Sequence, residues 1–114
     1  MKLLLVDDSS QLRRVLAKML LQSGRHEVRE ASNLAEGLAA ASEFQPDVIM
    51  LDDRLPDGSG SFSIPLFRAL APLARVVIFT ATRSWTTPGA ADAADALVEK
   101  GATYDELLHA LRMA

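Results

Sequence analysis

Four short apolar runs, Leu3–Val6, Val48–Leu51, Val76–Phe79 and Ala96–Val98, punctuate the sequence, and each gives way at once to polar residues. Such a run has no polar side to turn towards water, so a strand built from it must be covered on both faces. A parallel sheet sandwiched between helices meets that demand. A fifth segment, Glu27–Ala31, has only Val28 and Ala31 to bury and reads as an edge strand.

Helical patterns fill the intervals. Leu12, Val15, Leu16, Met19 and Leu20 share one helix face, with Ser9 or Ser10 to cap its start and Gly24 to end it. Asn33 with Glu36 resembles a capping box, and Leu34, Leu38 and Ala41 continue that helix. A third, poorer helix covers residues 61–70, because Pro65 suits only a first turn. Thr103 and Glu106 form a capping box for a last helix whose face is Tyr104, Leu107, Leu108 and Leu111. Between the last two strands, Pro88 and Gly89 precede an alanine-rich stretch and leave room for only a short helix. Five strands alternating with four or five helices make an open α/β sheet.

At 114 residues the chain suits one domain, spanning 1–114, and burying about two-thirds of its unfolded surface needs no metal or disulfide staple. With no cysteine a disulfide is impossible. A net charge of −3 carries no basic stripe, which argues against direct nucleic-acid binding. The N-terminal apolar run stops at Asp7, too early for a signal peptide, and no stretch approaches the roughly 20 residues of a membrane span. A cytoplasmic protein without membrane contact is expected.

The polar residues after the runs carry the chemistry. Asp7 and Asp8 follow the first run, Asp52 and Asp53 the run at Val48–Leu51, Thr80 the next, and Lys100 lies two beyond the last. In an open parallel sheet all strand carboxyl ends share one edge, where ligands bind at the switch in strand order. Carboxylates gathered there repel one another, and a hard divalent cation such as Mg²⁺ relieves them. A carboxylate flanked by metal, hydroxyl and lysine is placed to attack phosphorus, since phosphoryl transfer needs mainly positioning and charge stabilisation.

Val6-Asp7-Asp8-Ser9, Leu51-Asp52-Asp53-Arg54-Leu55-Pro56 with Gly58 and Gly60, Phe79-Thr80-Ala81, and Lys100 occur in this order. Over essentially its whole length the chain resembles a response regulator receiver domain of two-component signalling, in the CheY-like superfamily. The resemblance implies a flavodoxin-like fold: a five-stranded parallel sheet in the order 2-1-3-4-5, helices on both faces, and here a shortened or irregular fourth helix. It implies that Asp52, four residues before Pro56, is the phosphoacceptor. It implies Mg²⁺ bound by Asp8 directly, by Asp7 mainly through water, by Asp52 and by the backbone carbonyl of Arg54. Lys100 would pair with the phosphoryl oxygens, Thr80 would move towards them after phosphorylation, and the small Ala81 leaves them room. A histidine kinase or phosphotransfer protein is the implied donor, docking in part on the first helix.

The chain also departs from the family. Gly101 stands where the family has a proline, Leu97 where it often has an aromatic switch ring, and the interval from Thr80 to Lys100 is about two residues short. Other polar residues read more plainly. Asp53 is expected to be a solvated loop carboxylate, Asp57 with Gly58 a turn without chemistry, and Arg54 a shield for its acidic neighbours. Arg13, Arg14 and Lys18 read as a solvated helix face, His26 and His109 as surface residues without metal-ligand spacing, and Trp85 as a partly exposed ring.

The expectation is a phosphorylation-controlled switch that catalyses only its own aspartyl phosphorylation and dephosphorylation, with output through the 82–114 face to a domain or protein, or through a homodimer. Two rivals stand beside it. One is a phosphorylation-independent docking or dimerisation module of the same fold. The other is a Mg²⁺-dependent aspartyl phosphatase resembling the haloacid dehalogenase group, which places an acid/base Asp two residues after the nucleophile, where this chain has Arg54.

Overall fold

The computed structural model describes residues 1–22, 24, 26–81, 93–101, 105–106 and 109–110. In chain order they form β1 (Lys2–Val6), α1 (Ser10–Gln22), β2 (Glu27–Ala31), α2 (Leu34–Phe44), β3 (Val48–Asp52), β4 (Arg54–Leu55), β5 (Gly58–Ser59), α3 (Gly60–Leu70), β6 (Arg75–Thr80) and β7 (Ala96–Glu99). Five strands pair in parallel in the order β2-β1-β3-β6-β7, while β4 and β5 make a separate antiparallel hairpin. Counting the sheet strands alone, this is the expected 2-1-3-4-5 arrangement.

The continuous apolar runs are explained by what covers them. Alternate residues of each strand enter two different cores. Leu4, Val6, Ile49, Leu51, Val76 and Ile78 pack beneath α2 and α3 through Leu34, Ala41, Ile64 and Phe67. Leu3, Leu5, Val48, Met50, Val77 and Phe79 pack on the other face against Leu16 and Leu20 of α1 and against Ala110. Each fully buried Leu or Ile contributes about 1.5–3 kcal/mol, so the central strands anchor the domain. Residues 105–106 and 109–110 are helical, in keeping with a last helix. The short fourth helix, Trp85, and Thr103, Tyr104, Leu107, Leu108 and Leu111 of the last helix lie outside the described residues.

Local signals worked as expected at two helix starts. Ser9 Oγ accepts from Leu12 N at 3.2 Å, which makes Ser9 the cap of α1, and Asn33 Oδ1 accepts from Glu36 N at 2.8 Å. Three expectations need correction. Val15 is 51% exposed although it lies on the apolar stripe of α1, because the buried contacts of that face centre on Leu16 and Leu20. Arg13 is half-buried rather than solvated, its guanidinium bonded to the Asp7 backbone carbonyl and to Glu30 at 3.1 Å. Finally, α3 runs straight through Pro65. Proline forfeits one helical bond there, but Ser59 caps the helix and Ile64 and Phe67 bury its inner face, which offsets the loss.

Candidate functional site

All five strands of the parallel sheet end on one edge. The chain leaves β1 towards β2 on one side and returns to β3 on the other, so the crevice of the fold opens between the ends of β1 and β3. Asp7 directly follows β1, and Asp52 is the last residue of β3. Thr80 ends β6, and Lys100 directly follows β7, its backbone N–H bonded to the Thr80 carbonyl. Four groups far apart in sequence thus meet because parallel register aligns their strand ends.

Carboxylate oxygens of Asp7, Asp8 and Asp52 lie within 4.8 Å of one another. Asp7 and Asp52 are buried, while Asp8 is exposed at the mouth. Lys100 Nζ sits between the buried pair, 2.9 Å from Asp7 Oδ2 and 3.0 Å from Asp52 Oδ2. Asp7 Oδ1 accepts from Ser9 N at 2.9 Å, and Asp52 Oδ1 from Arg54 N at 3.2 Å. Asp7 Oδ2 is buried, with the Lys100 ammonium as its charge partner. Thr80 is buried beside them.

Electrostatics follow from this crowding. Burial pushes the Asp52 carboxyl above its ordinary range, the Asp7 charge adds to that, and the hydrogen bond from Lys100 opposes it. Burial alone would lower Lys100, but the two carboxylates together outweigh it and hold the ammonium charged. Among the described residues, one lysine faces two buried carboxylates, which leaves negative charge in excess there.

The donor set fits a hard divalent cation. It consists of oxygen ligands only, and its three carboxylates lie close enough to share one ion.

Two carboxylates nearby differ from the sequence expectation. Asp53 is buried, not solvated. Its Oδ1 accepts from Ser61 N at 3.0 Å, from Ser59 Oγ at 3.1 Å and from the Ser61 hydroxyl. It therefore ties the end of β3 to the start of α3, and Gly60 lies so close that a Cβ there would stand 2.1 Å from the Asp52 carbonyl oxygen. Asp57 does sit in a turn, but its carboxylate also caps α2, accepting from Leu34 N at 2.8 Å and Ala35 N at 3.0 Å. The serines at 59 and 61 were the available signal for the first; nothing local announces the second. At the departures from the family pattern, Leu97 packs against the α2/α3 core, and Gly101 has a positive φ of 97° with the peptide before it trans. Arg54 is exposed.

A sequence model of the response regulator receiver domain matches residues 3–112. The chain belongs to the response regulator receiver domain family. Among curated relatives of this receiver domain, the transcriptional regulatory protein KdpE of Mycobacterium tuberculosis is 38% identical over 112 residues, covering 97% of this chain and 49% of its own length. Among solved structures, the response regulator TrrA of Thermotoga maritima, in complex with Mg²⁺ and BeF, superposes with a TM-score of 0.87 at 28% identity, over 97% of this chain and 96% of that one. A response regulator of Burkholderia pseudomallei, with a phosphorylated aspartic acid, calcium ion and citrate, gives 0.84 at 29% identity, over 96% of this chain and 65% of that one. This receiver domain spans 22%, 33% and 49% of the length of three curated relatives it matches. No helix among the described residues is long and apolar enough to cross a membrane.

Proposed function

We propose that the chain is a phosphorylation-controlled signalling switch that accepts a phosphoryl group on Asp52 from the phosphohistidine of a histidine kinase or phosphotransfer protein. The observation that carries this reading is the ammonium of Lys100 held between two buried carboxylates at the crevice of the sheet, within a receiver-domain sequence. An Asp52 carboxylate oxygen bonds to phosphorus as the phosphorus–nitrogen bond of the donor breaks, and the imidazole leaves with that electron pair and takes a proton from solvent. The product is an acyl phosphate.

Each residue has a part in that transfer. Asp52 must be ionised to attack, and Lys100 favours the ionised form against the cost of burial. Lys100 and the Thr80 hydroxyl each bind one equatorial phosphoryl oxygen. Asp7, Asp8, Asp52 and the Arg54 carbonyl would hold Mg²⁺, which would supply positive charge for the phosphoryl oxygens. Thr80 moves towards the acyl phosphate, shifting a two-state equilibrium that an output domain or partner reads. The chain turns over no substrate besides its own phosphoryl group, and it works in the cytoplasm.

The test is intact mass after incubation with Mg²⁺ and acetyl phosphate, beside an Asp52→Asn variant. A gain of about 80 Da that the variant lacks is expected, the signature of one phosphoryl group. Mg²⁺ binding without any adduct would overturn the reading in favour of a docking module.

A further inference from the structure

We infer that Asp57 is a positioning residue for the metal-binding carbonyl of Arg54, acting by strapping the β4–β5 hairpin to the N-terminus of α2. The inference rests on the proposed reading that Arg54 is a Mg²⁺ ligand.

The hairpin that carries Arg54 is closed at its base by the bonds from Gly60 N and Ser59 Oγ to Asp53, but its own pairing does little to hold its tip. It has two residues in each strand, paired Arg54 with Ser59 and Leu55 with Gly58, and an isolated two-stranded hairpin is marginal even when longer. Yet its first residue must be set accurately, because the Arg54 N–H already touches the acceptor, 3.2 Å from Asp52 Oδ1. From the far end of the hairpin, both oxygens of Asp57 reach across more than twenty residues to Leu34 N and Ala35 N. These N–H groups open a helix, so they lack intrahelical partners and carry the positive end of its dipole. A second, apolar attachment lies beside the first. Leu55 and Leu34 are buried in the same core, and a Cβ on Gly58 would come 3.0 Å from Leu34 Cδ1. The tip of the hairpin is therefore fixed to a rigid element before any metal arrives. Without the strap, part of the binding energy of the metal is spent ordering the hairpin, and affinity falls.

Asn33 supplies the control. It caps the same helix, accepting from Glu36 N at 2.8 Å, and this bond stays within residues 33–36. Mg²⁺ affinity is measured by isothermal titration on the wild type, Asp57→Ala, Asp57→Asn and Asn33→Ala, each with its melting temperature. Asp57→Ala is expected to weaken Mg²⁺ about tenfold, the low end for residues that support a ligand, while Asn33→Ala stays within about twofold despite a similar loss in melting temperature. Asp57→Asn keeps one acceptor oxygen and falls between them, and it carries the test if the alanine variant does not fold. Equal weakening by Asp57→Ala and Asn33→Ala would show that only α2 stability matters and would overturn the inference, as would wild-type affinity in both Asp57 variants. A wild type whose Mg²⁺ binding is absent, or unchanged by Asp52→Asn, overturns the underlying reading of the site as well.

Discussion

Asp52 and Asp53 are adjacent in the chain and both buried, but they face two differently built regions. Asp52 enters a pocket where it shares the Lys100 ammonium with Asp7, and burial pushes its carboxyl up. Asp53 enters a nest of serine hydroxyls and a helix-start N–H at α3, where donors surround it. The same functional group is thus left short of partners on one side of a strand end and well supplied on the other. β3 ends at Asp52 and Asp53 is the first residue beyond it, so one step past the strand end separates reactivity from structure. Crowded, under-compensated charge suits the proposed cation and phosphoryl group; satisfied charge holds the neighbouring loop.

Four experiments break or sharpen this contrast. The largest effect is expected for Asp52→Asn, which should lose the phosphoryl adduct completely, whereas Asp53→Asn should still form it; mass spectrometry of both checks this. Next comes Asp53→Ala, which strands the Ser61 N–H and two hydroxyls. About 3 kcal/mol of stability should go, seen as a fall in melting temperature of more than about 10 °C.

A smaller effect of opposite sign is expected for Asp52→Asn in stability. A carboxyl raised in the folded state gives its stabilisation below the unfolded value near 4, and loses it as pH rises through the raised folded value. At pH 7 without Mg²⁺ the wild type therefore carries an unfavourable charge, and the asparagine variant should melt a few degrees higher. A lower melting temperature for that variant would mean that Lys100 compensates Asp52 fully. Adding Mg²⁺ at 100 times its dissociation constant should stabilise the wild type by about 2.7 kcal/mol and so reverse the order.

The smallest effect concerns Asp57 and Glu36, both exposed. Backbone N–H bonds from Leu34 and Ala35 hold Asp57 below the ordinary carboxylate range, and the hydroxyl and N–H of Ser32 do the same for Glu36. Their contribution is present above about pH 4 and fades as pH falls through the lowered folded values. Melting curves of wild type and Asp57→Asn should therefore differ at neutral pH and converge in acid.

How far this was legible in the sequence depends on the range of the interaction. The Leu3–Val6 and Val48–Leu51 runs announced strands covered on both faces, and Asn33 with Glu36 announced a helix start, because periodicity and caps act over a few residues. Asp7, Asp52, Thr80 and Lys100 could be placed together because parallel strands align their ends, and that rule needs only strand order. The β4–β5 hairpin is too short to show any periodicity. Val15 looked buried because helical spacing identifies a stripe but not how wide the covering surface is.

The sequence by itself determined the two-faced parallel sheet and the gathering of its acidic strand ends, since both follow from where apolar runs begin and stop. Only the tertiary structure decided which carboxylates are held and which are left wanting. Arg13 reaches the Asp7 carbonyl and Asp57 caps α2 because folding sets those segments side by side. A hydrogen bond depends on distance in space, and across twenty residues of chain no local pattern specifies it.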